Sequence, residues 1–279
     1  MSHFVEIILN GNSIQCIDHG GYETRNDSII KLSKLAFEKI KDKKIFNKKL
    51  LVFTEDNPVI VQNENILKEY EIYNQCDLPE NFDKIFPDFV FDNWKQVGIL
   101  DYDLVCNELH EVGKENPIIP KLFWIGSLTH LNRQLFIEKT KNNENVIAIL
   151  NNWIRKHDTT KVSTLEGSKF VSLKDHSHYQ YLIDLEGNGY SGRIKILSHM
   201  NRILIIQDRP FWDWGSLLLK ENEHYIKVDR NFKNFDEVFN KIIENPEKFE
   251  NMRKKCFEFS KKNLTQEKAI EKIVKIFLK

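Results

Sequence analysis

The sequence predicts an α/β protein built in two halves, with strands wound by helices into parallel sheets. Three observations predict it. Short apolar, β-prone runs alternate with segments of helical periodicity along most of the chain. The stretch Tyr179 to Asp208, YQYLIDLEGNGYSGRIKILSHMNRILIIQD, reads as strand, glycine-rich turn, helix, strand. A segment holding Pro117 and Pro120, KENPIIP, separates an earlier strand–helix series from a later one and reads as the linker.

In chain order, Phe4 to Leu9 is the first expected strand. Ser28 is an expected N-cap for IIKLSKLAFEKI, where Ile29, Leu32, Leu35, Ala36 and Ile40 keep helical spacing. Strands are expected at Lys49 to Phe53 and Phe89 to Phe91, then a helix from Val105 to Val112 that Gly113 ends. The second series comprises Leu122 to Ile125, Phe170 to Leu173, Tyr179 to Leu185, Ile203 to Ile206 and Tyr225 to Val228. Lys139 to Asn145 reads as a loop or helix terminus, and Asn245 with Pro246 as a helix start. Thr265 is placed to cap a last helix with Ile270, Ile273, Val274 and Phe277 on one face and lysines elsewhere. That helix reads as core packing with a solvated lysine face rather than a membrane-lying element.

Composition narrows the classes. The 279 residues carry 41 basic and 41 acidic side chains, so no global field draws nucleic acid. Hydrophobic content of 41% with 11% aromatic fits a packed globular chain rather than a disordered one. Cys16, Cys76, Cys106 and Cys256 lack C-x-x-C spacing, which argues against zinc and a disulfide framework and for a reducing compartment. The N-terminus has no basic region before an apolar run, and no stretch approaches about 18 uninterrupted apolar residues. The expectation is a cytoplasmic protein, at most peripherally membrane-associated.

The turn with Gly187, Gly189 and Gly192 carries the chemistry. Glycines between a strand and a helix let backbone N–H groups approach an anion, and the helix N-terminus adds its dipole. A basic amphipathic helix is expected from about Ser191, with Arg193 in its first turn able to fork onto a phosphate. GNGYSG also matches G-x-G-x-x-G, with Asp208 about 20 residues on as a dinucleotide site asks. Asp184 and Glu186, however, place carboxylates where a pyrophosphate would lie. A tight turn that binds nothing stays open.

Four separated blocks resemble glycosyltransferase family 90: PDFVFDNWKQVGILDY, KLFWIGSLTHLNR, DHSHYQYLIDLEGNGYSGRIKIL, and FWDWGSLL followed by HYIKV. The blocks come in the family's order, and the resemblance covers about residues 80 to 265. The resemblance implies a GT-B-like fold: two Rossmann-like domains facing a cleft, the last helix returning to the N-terminal one. The expected domains are 1–119 with 265–279 on the acceptor side, and 120–264 on the donor side. It implies inverting transfer from a UDP-sugar to a hydroxyl on a glycan, lipid-linked glycan or protein, as in lipopolysaccharide or capsule assembly. Neither a metal nor another cofactor is expected.

Inverting transfer needs a carboxylate to take the acceptor's proton and cations or N–H groups to meet the leaving diphosphate. For the base, the resemblance points to Asp92 at the end of DFVF. A gapless match from Trp94 would put Asn93 there instead, with Asp101 as the fallback and Asp88 behind it. Asp101-Tyr102-Asp103 matches the D-x-D pattern of metal-dependent transferases, but acidic residues opening a helix are expected from capping alone. For the donor, the resemblance implies Gly126, Ser127, Arg133, His176, Glu186, Gly187, Gly189, Tyr190, Ser191, Arg193 and Asp213, with Trp212 and Trp214 able to stack on a ring. A non-catalytic nucleotide- or sugar-binding protein of the same fold is the alternative, and an NAD-dependent oxidoreductase the third.

Overall fold

The computed structural model describes residues 3–40, 47–151 and 171–279. Two compact units share the chain. The first takes Met1–Asp103, Pro210–Leu218 and Leu264–Lys279, and the second Leu104–Arg209 and Leu219–Asn263. The chain therefore leaves the first unit at Asp103, inside a helix, whereas the sequence reading divided it after residue 119.

In the first unit, β1 (Phe4–Asn10) turns back through Gly11 and Asn12 into β2 (Ser13–Asp18). Gly11 has φ +55, the left-handed region that a two-residue hairpin demands of its first residue. Helix α1 (Glu23–Lys39) follows, then β3 (Asn47–Phe53), α2 (Glu64–Glu69), β4 (Glu71–Asn74) and the short β5 (Cys76–Asp77). The sheet order is β2-β1-β3-β4, with β1 antiparallel to both neighbours and only β3 and β4 parallel. This corrects the expectation of a parallel, Rossmann-like N-terminal sheet. A two-residue turn can join only antiparallel strands, and the GNS signal that forces it went unread. Val5, Ile7 and Leu9 alternate onto the buried face of β1.

Two more expectations change here. Helix α1 begins five residues before Ser28, which lies fully buried inside it with its Oγ 3.1 Å from Thr24 O. Phe89–Phe91 is a single 3₁₀ turn rather than a strand. Its three side chains are all buried, and Phe91 N and Asp92 N donate back to Asp88 O at 3.3 Å and Phe89 O at 3.0 Å rather than to a neighbouring strand.

The second unit's elements begin with α3 (Tyr102–Val112), whose first two residues group with the first unit, then β6 (Ile119–Gly126), α4 (Leu131–Thr140) and β7 (Val146–Leu150). They continue as α5 (Leu173–His176), β8 (Tyr179–Asp184), α6 (Ile194–Leu197) and β9 (Ile203–Gln207). The chain then contributes β10 (Trp212–Asp213) and α7 (Trp214–Leu217) to the first unit, where β10 pairs antiparallel with β5. It returns as β11 (Ile226–Val228), α8 (Phe235–Glu244) and α9 (Glu250–Asn263). Last comes α10 (Gln266–Leu278) in the first unit, packed on α1. Thr265 caps it, its Oγ1 accepting from Lys268 N at 3.2 Å, and Ile270, Ile273 and Phe277 are buried.

Five strands of the second unit form one parallel sheet in the order β11-β9-β8-β6-β7. Counted along this unit the order is 2-1-3-4-5, a common doubly wound arrangement. Leu122 and Trp124, Tyr181 and Ile183, and Ile203 and Ile205 point to one face, where Phe136, Phe235 and Phe239 cover them. Phe123, Leu182, Leu204 and Ile206 are buried on the other, so both faces are covered, as parallel sheets require. Pro120 sits where β6 shifts register against β8, between Ile119 and Leu122, so its missing N–H breaks no ladder bond.

The edge strand beside β6 is Val146–Leu150. Of the expected strand Phe170 to Leu173, Phe170 lies outside the described residues and Leu173 opens α5 behind a Ser172–Asp175 capping box. The expected basic amphipathic helix is instead the four residues of α6 followed by a 3₁₀ turn through Met200, buried throughout, Lys195 included. It joins two central strands, and its 3₁₀ turn packs against α9, which leaves no exposed face. Among the described residues, no helix is long and apolar enough to cross a membrane.

Candidate functional site

In a 2-1-3-4-5 sheet the chain reverses winding direction between the first and third strands, and the crevice outside their carboxyl ends is where doubly wound folds bind ligands. Here those strands are β6 and β8. Their ends are Gly126 with Ser127, and Asp184 leading into Leu185, Glu186 and Gly187, so four of the expected donor residues, Gly126, Ser127, Glu186 and Gly187, arrive at one place by topology alone.

Two arginines stitch the two ends together. Arg133, from α4, donates Nε to Glu186 O at 2.8 Å, Nη1 to Ser127 O at 2.8 Å and Nη2 to Leu185 O at 3.4 Å. Arg193 donates Nη1 to Ile125 O at 2.5 Å and Nε to Asp184 Oδ1 at 3.2 Å. Both guanidiniums lie over the Trp124 indole, their carbons 5.7 and 6.0 Å from the ring centroids. Burial, then Arg193 close by, push the Arg133 pKa down to about 9.

Asp184 is the counterweight. Fully buried at the end of β8, it accepts Ser191 Oγ at 2.9 Å and Arg193 Nε on Oδ1, and Arg209 Nη1 at 2.7 Å on Oδ2. Burial alone would raise its pKa, but Arg209, Arg193 and the Ser191 hydrogen bond outweigh burial and hold it below the usual carboxylate range. Its charge is thus spent on holding two arginines. Arg209 was not legible as a site residue: it follows β9 by two positions, and only pairing β9 with β8 brings it to Asp184.

Glu186 has its own cation. Arg230 donates Nε at 2.8 Å and Nη2 at 3.1 Å to the two carboxylate oxygens, and Asn132 Nδ2 also reaches Oε1. Gln207 ties the pair to the sheet by accepting Glu186 N at 2.9 Å and donating to Arg230 O at 2.6 Å. The carboxylate that argued against a dinucleotide pyrophosphate here is therefore neutralised locally. Gly187 is buried, and a Cβ there would sit 3.4 Å from Arg133 Nη2, so its bare backbone lets the guanidinium lie alongside. A Cβ on Gly126 would come within 2.8 Å of the Trp124 ring. Gly189 and Tyr190 are buried in the same turn.

His176 is buried in this unit, its ring edge-on to Phe123 at 4.8 Å and its Nδ1 2.7 Å from Ser172 O. Burial pushes its pKa down to about 4, so it is neutral at pH 7. Asp213 is not with the donor residues' unit: it caps α7 in the first unit, accepting Ser216 N at 3.1 Å and also Ser216 Oγ. Next to it, Trp214 packs on Phe91 at 5.5 Å, and a Cβ on Gly215 would meet the same Phe91 ring at 2.8 Å. Trp212 and Trp214 are both buried.

Phe91 leads to Asp92, also in the first unit. Asp92 is only 4% exposed and is held by Ser28 Oγ at 3.0 Å and Asn93 Nδ2 at 2.5 Å on Oδ2, and by Lys31 Nζ at 2.5 Å on Oδ1. The loop after it folds back through the Trp94–Ile99 bridge, with Gly98 left-handed at φ +83, so that Tyr102 N donates to Asp92 O at 3.0 Å. Asp101, the other candidate base, is exposed one residue away. Asp103 accepts Gln266 N at 2.9 Å, and burial raises its pKa. Asp88 is fully buried. Among the described residues no group of three or more His, Cys, Asp or Glu side chains could hold a metal ion.

Comparison with known proteins gives the following. No curated protein matches the chain. Among solved structures it is similar to Anabaena HepE in complex with UDP-glucose, with 9% identity and a TM-score of 0.42 over 75% of this chain and 57% of that one. HepE with UDP and glucose gives 10% identity and the same TM-score and coverage. A GtfA/B complex gives 9% identity and a TM-score of 0.35 over 59% of this chain and 37% of that one. The chain thus spans only 57% of the length of HepE. Residues 34–279 match the model of glycosyl transferase family 90, and the chain belongs to that family.

Proposed function

We propose that the chain transfers a hexosyl or pentosyl group from a UDP-sugar to a hydroxyl acceptor with inversion, without a metal ion, with Asp92 as general base. One observation carries the reading: the partly buried guanidinium of Arg133 hydrogen-bonds only carbonyl oxygens among the described residues, beside an Arg193 whose Nη2 is buried without a partner among them. Asp184 balances one of the three cations Arg133, Arg193 and Arg209, and Glu186 is matched by Arg230. A largely desolvated excess of positive charge at a switch point favours an anion, and a nucleoside diphosphate is the anion that family membership makes relevant.

In this reading the second unit binds the donor and the first the acceptor, as in a GT-B enzyme. The acceptor oxygen attacks the anomeric carbon, its proton passes to an Asp92 carboxylate oxygen, and the bond to the diphosphate oxygen breaks. The arginines and the turn's N–H groups meet the charge that develops on UDP. The acceptor is a glycan, lipid-linked glycan or protein hydroxyl of the kind found in lipopolysaccharide or capsule assembly, and the protein works in the cytoplasm, at most peripherally on a membrane. A non-catalytic sugar- or nucleotide-binding role is the second reading, favoured by the three donors already on Asp92.

Calorimetric titration with UDP, uridine and NADH in EDTA tests the donor reading. UDP is expected to bind in the micromolar to millimolar range and uridine more weakly. Binding of UDP only when a divalent ion is restored would end the metal-free part, and binding of NADH without UDP would end the whole.

A further inference from the structure

The two oxygens of Asp92 are held in different ways. Oδ2 is fixed by two neutral donors from buried residues, Ser28 Oγ at 3.0 Å and Asn93 Nδ2 at 2.5 Å. Ser28 is itself fully buried in α1 and accepts Asn93 Nδ2 at 3.0 Å, so this side cannot open without unpacking that helix. Oδ1 instead meets the Lys31 ammonium at 2.5 Å, on a side chain that is 60% exposed. An acceptor hydroxyl must therefore come to Oδ1, the oxygen that an exposed, solvated cation covers. If Asp92 took a proton while Lys31 stayed in place, the ammonium would lose its counter-charge, which opposes the transfer. An acceptor that brings a negative charge of its own removes that conflict by drawing Lys31 away as the hydroxyl arrives.

We propose that Lys31 is an acceptor-specificity residue: it moves from Asp92 Oδ1 to an anionic group, carboxylate or phosphate, that the acceptor carries near its reacting hydroxyl. The inference rests on the assignment of Asp92 as base. It makes the acceptor an acidic or phosphorylated sugar rather than a neutral one. Lys31 is a positioning residue and takes no part in bond making.

The test measures binding of three small probes to the UDP-loaded protein by calorimetry or ligand-observed NMR: methyl glucuronide, glucose 6-phosphate and neutral methyl glucoside. Wild type, Lys31→Met and Lys31→Arg are compared, with melting temperature and UDP affinity alongside. At least one anionic probe should bind wild type about tenfold more tightly than the neutral one, the scale of a charge-assisted hydrogen bond. Lys31→Met should abolish that preference and Lys31→Arg retain part of it, with UDP affinity unchanged in both; the melting temperature should hold in Lys31→Arg and fall in Lys31→Met, which leaves the buried Asp92 carboxylate without its cation. The tighter of the two anionic probes separates carboxylate from phosphate. Equal binding of all three, failure of both anionic probes to bind, or an unaltered preference in Lys31→Met would overturn the proposal. A protein that binds no UDP refutes the transferase reading whatever the probes do, whereas UDP binding without anion preference refutes only the role of Lys31.

Discussion

Arg209 donates to Asp184 across 2.7 Å with both side chains fully buried, and the same carboxylate holds Arg193, so one aspartate at the end of a strand sets two of the three arginines of the switch point. A buried ion pair adds little net stability over an apolar pair, but removing one partner leaves an unpaired buried charge. Asp184→Asn should therefore cost about 3–5 kcal/mol of unfolding free energy. Urea denaturation measures it, and a loss below about 1 kcal/mol, the scale of an exposed pair, would show that solvent reaches the site.

The two stitching arginines should separate diphosphate from nucleoside recognition. Arg193→Ala is expected to weaken UDP by about 1.5–3 kcal/mol, the worth of a hydrogen bond to a charged group, and uridine much less. Arg133→Ala should do the same and also loosen the strand ends it joins, lowering the melting temperature. Equal losses for uridine and UDP would mean that these residues support the fold or a base pocket.

Acid sensitivity follows from two buried histidines. Burial pushes the pKa values of both His176 and His110 down to about 4, with Arg193 adding to the shift of the first and Lys261 to that of the second. In the unfolded chain each takes its proton near about 6.5. Between pH 6.5 and 4 the unfolded state therefore binds protons that the folded state refuses, so stability falls as pH drops through that window. The urea midpoint should decline across it, and the decline should be shallower in His176→Gln. An unchanged slope in that variant would show that His176 titrates normally in the folded protein.

Much of the second unit's sheet was legible because its strands announce themselves: Leu122 to Ile125, Tyr179 to Asp184 and Ile203 to Ile206 are apolar runs bounded by turn residues. The strand Val146–Leu150 is just as apolar but follows a polar loop without a glycine, and it was passed over. Ser28 illustrates a different failure. A serine before an apolar run reads as a cap, yet this one is buried against Asp92, a partner 64 residues away that no local pattern shows. Asp184 was misread for the same reason. In sequence it is a carboxylate intruding on an anion site, and only the register of β8 against β9 reveals that Arg209 neutralises it. The glycine turn was found correctly by composition, although none of Gly187, Gly189 and Gly192 adopts a left-handed conformation. The first of them gives close approach to Arg133 rather than an unusual backbone.

The account stands or falls on Asp92. Its direct test is sugar transfer by Asp92→Asn beside wild type and Asp101→Asn, with an acceptor identified by screening and UDP affinity measured in parallel. The substitution keeps size and hydrogen-bonding reach while removing the ability to take a proton. Asp92→Asn is predicted to lose at least about 100-fold in transfer, the contribution of a placed general base, with UDP affinity nearly unchanged and Asp101→Asn active. Full transfer by Asp92→Asn would contradict the account, and a dead Asp101→Asn beside it would move the base to Asp101.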